Sequence, residues 1–337
     1  MKDFTVLAIA PHYGANAPRH LVDAMELCGA RVIRVGPKYG EHLGMTWADS
    51  EMPRVDLEIF KNSNWYIDGF VDAATRRETA PDMVFLSEES YNNLIVNTEK
   101  VPSVFYSCDG WPENYARAEM VKATKNYSNH IGIRVRPIDT LPEPWEFLPG
   151  GCAPWIHKYL GLERMTDFCL FGSEYGKRKE ICEALSLLFS VEHGQVKTPG
   201  FVSYNNRSLC TLHNPQPGEV KWRFFEAASM GCINISWGCQ LFERLGYKAW
   251  THYFPINVLE DCDDPWPNIE QMEWAVNDIK NNHVFFRRMA TIARQHTIEN
   301  HTYYHRAKRI FEDLGFGEMA EKAQEKIDGA WSEHLGE

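Results

Sequence analysis

The stretch EVKWRFFEAASMGCINIS, residues 219–236, decides the fold. Apolar residues recur at helical spacing as far as Met230, Gly231 closes the helix, and the strand-forming run CINIS follows at 232–236. A helix feeding a buried strand belongs to a βαβ unit. Within it Arg223 and Glu226 stand three apart and share a helix face. Two readings are open there. One is a local ion pair worth a few tenths of a kcal/mol. The other is an Arg that meets a phosphate beside a Glu that accepts two ribose hydroxyls.

The same alternation extends outward. DFCLFGS (167–173) reads as a strand and KRKEICEALSLLF (177–189) as a helix, while roughly 270–333 carries helical apolar spacing throughout. In the first half, FTVLAIA (4–10), RVIRVG (31–36), DMVFLSE (82–88) and PSVFYSCD (102–109) read as strands. APRHLVDAMELCG (17–29) reads as an amphipathic helix closed by Gly29. The Pro/Gly-rich LPEPWEFLPGGCAPW (141–155) is the linker candidate. Two Rossmann-like halves are the economical α/β architecture. Ligands of such sheets gather outside the carboxyl ends of the strands. That expectation groups PHYG (11–14), SEES (87–90) and CDGWPENY (108–115) around one crevice.

Composition narrows the function. The 337 residues suffice for one large or two ordinary domains, and 44% hydrophobic with 24% charged content is that of a soluble globular protein. A net charge of −11 argues against a broad nucleic-acid surface, though a local basic groove with Lys122, Lys125, Arg134 and Arg136 stays open. Nine scattered cysteines without a C-x-x-C pair fit reduced core thiols and a cytoplasmic setting. No apolar run reaches the length of a membrane span, and the first residues lack a signal peptide's features. Many of the eleven Trp adjoin Pro, as in DGWPE and EPWEF, which suits rigid loops around clefts or loops pinned by a buried ring.

LFGSEYGKRKEI (170–181) is a second candidate for ligand contact. A strand ends at Gly172-Ser173, and a helix begins near Lys177-Arg178. Helix N-termini hold free N–H groups and the positive dipole end, which favour phosphate. The stretch has neither the Walker A order nor G-x-G-x-x-G, and solvated first-turn basic residues are the plain alternative.

Three ordered motifs, LFGSEYGKRKE, RFFEAASMG and HTYYHRAKRIF, give residues 167–314 a resemblance to the C-terminal half of the GT-B glycosyltransferases, in particular the CgeB-like (spore-maturation-type) group. APDMVFLSEES and VPSVFYSCDGWPENY extend the resemblance more loosely into the first half. The resemblance implies two Rossmann-like domains facing a central cleft, at 1–150 on the acceptor side and 151–310 on the nucleotide-sugar side. It also implies a C-terminal helix, 311–337, returning to the first domain. The donor would rest on Gly172, Ser173, Lys177 and Arg178, with Arg223 and Glu226 holding the nucleotide. His12 and Gly14, at the first strand–helix turn, would admit substrate, a helix-entry turn being the alternative.

Many retaining members of that fold carry a second Glu eight positions after the first, where this chain has Asn234. The segment is also similar to the phage DNA β-glucosyltransferases, an inverting group in which a strand of the first domain ends in a catalytic Asp. Asp109 ends VFYSCD in the same way, and an inverting transfer needs one carboxylate to take the acceptor proton. A turn residue before Gly110 is the alternative for Asp109. DCD (261–263) lacks the context of a metal-binding D-x-D, and His301 with His305 lacks the Glu of H-E-x-x-H, so no metal is expected.

The expectation is therefore a GT-B glycosyltransferase moving a hexosyl or pentosyl group from a nucleotide-sugar, UDP-linked, to a hydroxyl, without a cofactor. Inversion is expected, with Asp109 as base. Two alternatives are a transferase acting on hydroxymethylated DNA bases and a non-catalytic nucleotide- or sugar-binding protein.

Overall fold

A computed structural model describes residues 3–10, 17–36, 57–58, 65–66, 71–72, 74–75, 80–87, 94–95, 101–108, 123–129, 145–172, 177–214, 220–238, 240–257 and 267–335. Two compact units divide the chain: 1–149 with 303–328, and 150–302 with 329–337. The expected return to the first domain, set at 311–337, thus spans 303–328, and the last nine residues belong with the second unit.

The first unit is built on seven strands: β1 (Thr5–Ile9), β2 (Arg31–Gly36), β3 (Leu57–Glu58), β5 (Met83–Ser87), β7 (Ser103–Ser107), β8 (Lys125–Ser128) and β9 (Trp145–Phe147). Their order is β3-β2-β1-β5-β7-β8-β9, and every pairing is parallel. A separate two-stranded pair joins β4 (Trp65–Tyr66) to β6 (Leu94–Ile95). Every residue of β1, β5 and β7 is buried, as expected of parallel strands covered on both faces. Helix α1 (Ala17–Leu27) ends at Gly29, whose φ of 92° suits a residue without Cβ. Strands β1, β5 and β7 are neighbours, so their carboxyl ends at Ile9, Ser87 and Ser107 lie side by side. Segment 141–155, read above as a linker, instead contributes the edge strand β9, paired to β8 from Asn126–Trp145 to Ser128–Phe147.

The second unit holds β10 (Thr166–Phe171), β11 (Val191–Gly194), β12 (Ser208–His213), β13 (Ile233–Ser236) and β14 (Phe254–Pro255), in the order β11-β10-β12-β13-β14, all parallel. The connecting helices are α2 (Lys177–Leu185), α3 (Thr198–Arg207), α4 (Trp222–Ser229) and the short α5 (Gln240–Arg244). Alternation along β10 feeds two cores. Phe168 and Leu170 pack with Ile181 and Leu185 of α2 and with Met272, Val276 and Phe286. Cys169 and Phe171 pack with Phe201 and Val202 of α3 and with Ala227 of α4. The sheet is thus wound on both faces, and the order reverses between β10 and β12. A crevice for ligand opens outside the carboxyl ends of strands at such a switch point.

The predicted helical tail resolves into α6 (Ile269–Asn281), α7 (His283–Asn300), α8 (Tyr303–Asp313), α9 (Gly317–Asp328) and α10 (Ala330–Leu335). α8 is tied to the first unit by Tyr127, whose hydroxyl donates to Asp313 Oδ2 at 2.6 Å, and by Arg306 Nε donating to the Pro149 carbonyl at 2.9 Å. The seven cysteines among the described residues are buried free thiols. No helix of the described residues is long and apolar enough to cross a membrane.

Candidate functional site

At the carboxyl edge of the second sheet three helices present their N-termini, because each follows a parallel strand through a crossover. A lysine marks each start: Lys177 is the first residue of α2, and Lys197 and Lys221 are the N-cap residues of α3 and α4. Neither N-cap side chain bonds the helix, so the first-turn N–H groups of α3 and α4 carry no side-chain cap. Lysines cannot accept such hydrogen bonds, and a positive charge at a helix N-terminus opposes the dipole. The arrangement costs local stability and suits an incoming anion.

β10 ends at Gly172, whose φ is 138°. A Cβ built there would sit 2.6 Å from Nη1 of Arg178, so the glycine lets that guanidinium lie against the strand end. Arg223, in the first turn of α4, stands with its guanidinium carbon 4.8 Å from the centre of the Phe201 ring. Phe201 in turn meets Phe171, the residue before Gly172, at 6.2 Å between ring centres. Through that ring the end of β10 and the start of α4 are brought to one neighbourhood.

Arg223 Nη1 lies 3.9 Å from Glu226 Oε2; the Arg side chain is 38% exposed and the Glu only 2%. This is too long for a hydrogen bond, so the ion pair is loose. Burial raises the Glu226 carboxyl to about pH 7, and Arg223 lowers it only in part. A second neighbour approaches the carboxylate. His157 accepts a hydrogen bond at Nδ1 from the Ala153 amide at 3.0 Å, which leaves the proton on Nε2, 3.5 Å from Glu226 Oε1. Asn234, at the position of the absent second Glu, is buried and donates to the Phe224 carbonyl at 3.0 Å. His213, at the end of β12, is lowered to about pH 3 by burial and then by Lys221, so it is neutral in ordinary buffers. With Arg223, Asn234 and Thr211 it lines a small cavity of about 30 Å³.

Gly172, Lys177, Arg178, Arg223 and Glu226 therefore all lie on the described carboxyl edge, whereas Ser173, His12, Gly14 and Asp109 fall outside the described residues. So do Lys122, Arg134, Arg136, Asp261 and Asp263. Lys125, offered above for a basic groove, pairs with Glu146 at 2.7 Å. His301 donates from Nε2 to the Leu245 carbonyl at 2.8 Å. Lys197 and His157 escaped the sequence reading. α3 begins TPG and carries paired asparagines, a poor helical signal, and only the fold shows that His157 supports Glu226.

Comparison with known proteins agrees with this fold. Residues 155–312, just under half of the chain, match the family model described as Glycosyl transferase-like. No curated protein sequence matches the chain. Among solved structures, Anabaena Alr3699/HepE in complex with UDP-glucose is 12% identical with a TM-score of 0.60, over 93% of this chain and 99% of that one. An alpha-glucosyltransferase in complex with UDP-glucose and abasic DNA is 8% identical with a TM-score of 0.62, over 94% and 99%. Sucrose-phosphate synthase from Thermosynechococcus elongatus is 10% identical with a TM-score of 0.53, over 94% and 100%. At these identities the likeness is one of fold. The chain has the GT-B fold, and its residues 155–312 resemble the Glycosyl transferase-like family.

Proposed function

We propose that the chain is a glycosyltransferase that moves a sugar from a UDP-linked donor to a hydroxyl acceptor. The observation that carries the reading is the carboxyl edge of the second sheet. Three helix N-termini lie there, two of them without a side-chain cap, beside a cation, Arg223, and a buried carboxylate, Glu226. A diphosphate supplies the negative charge that the edge lacks, and a ribose supplies hydroxyl donors for Glu226. The complexes of two structural relatives with UDP-glucose support UDP as the nucleotide.

Gly172, Ser173, Lys177 and Arg178 would hold the phosphates, and Arg223 would balance the charge that grows on the leaving UDP as the glycosidic bond breaks. Asp109 is our choice of base, two residues past the end of β7. The acceptor oxygen would bond to the anomeric carbon, the bond from that carbon to the UDP oxygen would break, and the acceptor proton would pass to Asp109. Transfer from the opposite face inverts the anomeric configuration, and Asn234 in place of a second carboxylate agrees with that choice. His12 and Gly14 would border the substrate. The resemblance to the CgeB-like group stays part of the proposal, as does the absence of a required metal or cofactor.

Thermal unfolding against a panel of nucleotides and nucleotide-sugars tests the reading. UDP and at least one UDP-sugar should raise the midpoint by mass action, and adenosine or guanosine diphosphate should raise it less. A panel in which no nucleotide moves the midpoint would contradict it.

A further inference from the structure

The opposite, amino edge of the second sheet holds a cavity of about 590 Å³, in the range of small-molecule sites. It opens where β12 and β13 begin, at Leu209 and Ile233, and α7 forms its outer wall through Phe286, Arg287, Thr291 and Arg294. Nothing in the carboxyl-edge site reaches it.

Its charge is unlike that of the chain. Three arginines line it, 164, 287 and 294, against a single carboxylate, Glu163, in a protein of net charge −11. They do different things. Arg164 donates from Nη1 to the carbonyls of Asn205 and Ser208 at 2.7 Å each, and from Nη2 to those of Met230 and Gly231 at 3.2 and 2.6 Å. It thereby caps the C-terminal ends of both α3 and α4, and its charge is matched by their dipoles. Arg294 stands over Tyr159, 3.8 Å from guanidinium carbon to ring centre. Neither Arg287 nor Arg294 forms an ion pair among the described residues, and Arg294 Nε is buried with no hydrogen-bond partner there.

A glycine lets Arg164 and Tyr159 close against the start of β13. Gly231, with φ of 71°, lies where a Cβ would come within 2.9 Å of Arg164 Nη2 and 3.1 Å of the Tyr159 ring. Leu209, Ile233, Phe286 and Ala290 supply apolar walls.

We infer that this cavity is a second ligand site, for a small molecule that carries a phosphate or carboxylate on an apolar, ring-sized body. The oxyanion meets Arg287 and Arg294, and the body rests on the apolar walls. The site is independent of the donor reading, since no residue is common to both.

Calorimetry on the full chain tests this with two probes, phenyl phosphate and benzoate, each titrated with and without excess UDP. At least one should bind saturably in both conditions, with inorganic phosphate roughly tenfold weaker or worse for want of the apolar body. The two arms tell a phosphate site from a carboxylate site. Arg287→Glu reverses an exposed charge and Thr291→Trp fills the cavity from an exposed position; each should weaken the probe by roughly tenfold or more. The inference is overturned if neither probe binds, if both variants bind as the parent does, or if UDP displaces the probe. A chain that ignores UDP altogether would sink the donor reading while the two variants still decide this one.

Discussion

The two edges of the second sheet are both cationic, for opposite reasons. At the carboxyl edge Lys177, Lys197 and Lys221 stand at helix starts, where the dipole is already positive, so like charges add. At the amino edge Arg164 sits on the carbonyl ends of α3 and α4, where the dipole is negative, so its charge is answered within the fold. Like charges thus stand in opposite backbone fields on the two sides. What differs is the polarity of the backbone beneath them.

The largest effect expected concerns chemistry. Asp109→Asn should leave UDP affinity unchanged while transfer falls roughly 10²–10⁴-fold, because the amide keeps the size of the carboxylate but cannot take a proton. Turnover and affinity measured on the same purified variant check this, with product configuration read by NMR. Near-normal turnover, or a retained anomeric configuration, would return Asp109 to a turn residue.

Next comes cohesion at the amino side. Arg164→Ala removes four charge-assisted hydrogen bonds and leaves four helix-end carbonyls to water. Urea unfolding should show a loss of about 2–3 kcal/mol, since solvent replaces part of what is lost. A loss no larger than that of an ordinary surface substitution would mean that the shared cap is ornamental.

Glu226 gives a pH signature. Its carboxyl is raised above the ordinary value to about 7 by burial, so the folded state holds the proton more tightly than the unfolded chain. The stability that this proton contributes is present below the unfolded pKa, near 4.5, and is lost as pH rises through about 7. Ribose hydroxyls would favour the ionised form, so UDP affinity should rise over the same interval. Glu226→Gln should flatten the stability profile between these limits, as followed by thermal unfolding from pH 4.5 to 8. An unchanged slope would show that Glu226 titrates elsewhere. Smallest of all, Lys197→Ala should weaken UDP by about 0.3–1 kcal/mol, a dipole-scale contribution detectable by calorimetry at low salt.

Much of this was legible in the sequence where local chemistry and tertiary role coincide. Trp222–Ser229 shows its apolar face and its Gly231 stop, and β1, β5 and β10 appear as short apolar runs because parallel strands are covered on both sides. Legibility failed where packing overrode propensity. α3 reads TPGFVSYNNR, yet Asn205 and Asn206 donate to Phe201 and Val202 at 2.8 and 2.9 Å, and Asn206 also reaches the Lys158 carbonyl. β8, KNYS, is polar and short, and it is a strand because β7 and β9 flank it. The amino-edge arginines are spread from 164 to 294, and no spacing rule joins them. Arg223 and Glu226 were recognisable as a pair; the His157 ring beside them was not.

The central claim is that the carboxyl edge is a nucleotide site and the amino edge is not. Isothermal titration of UDP into the parent, Arg223→Ala, Glu226→Ala and Arg287→Glu tests it most directly. The account predicts a loss of about 1–3 kcal/mol in each of the first two variants, the range for a hydrogen bond to a charged group, and parent-like affinity in the third. Unchanged affinity in both Arg223→Ala and Glu226→Ala, with the fold intact by circular dichroism, would contradict it.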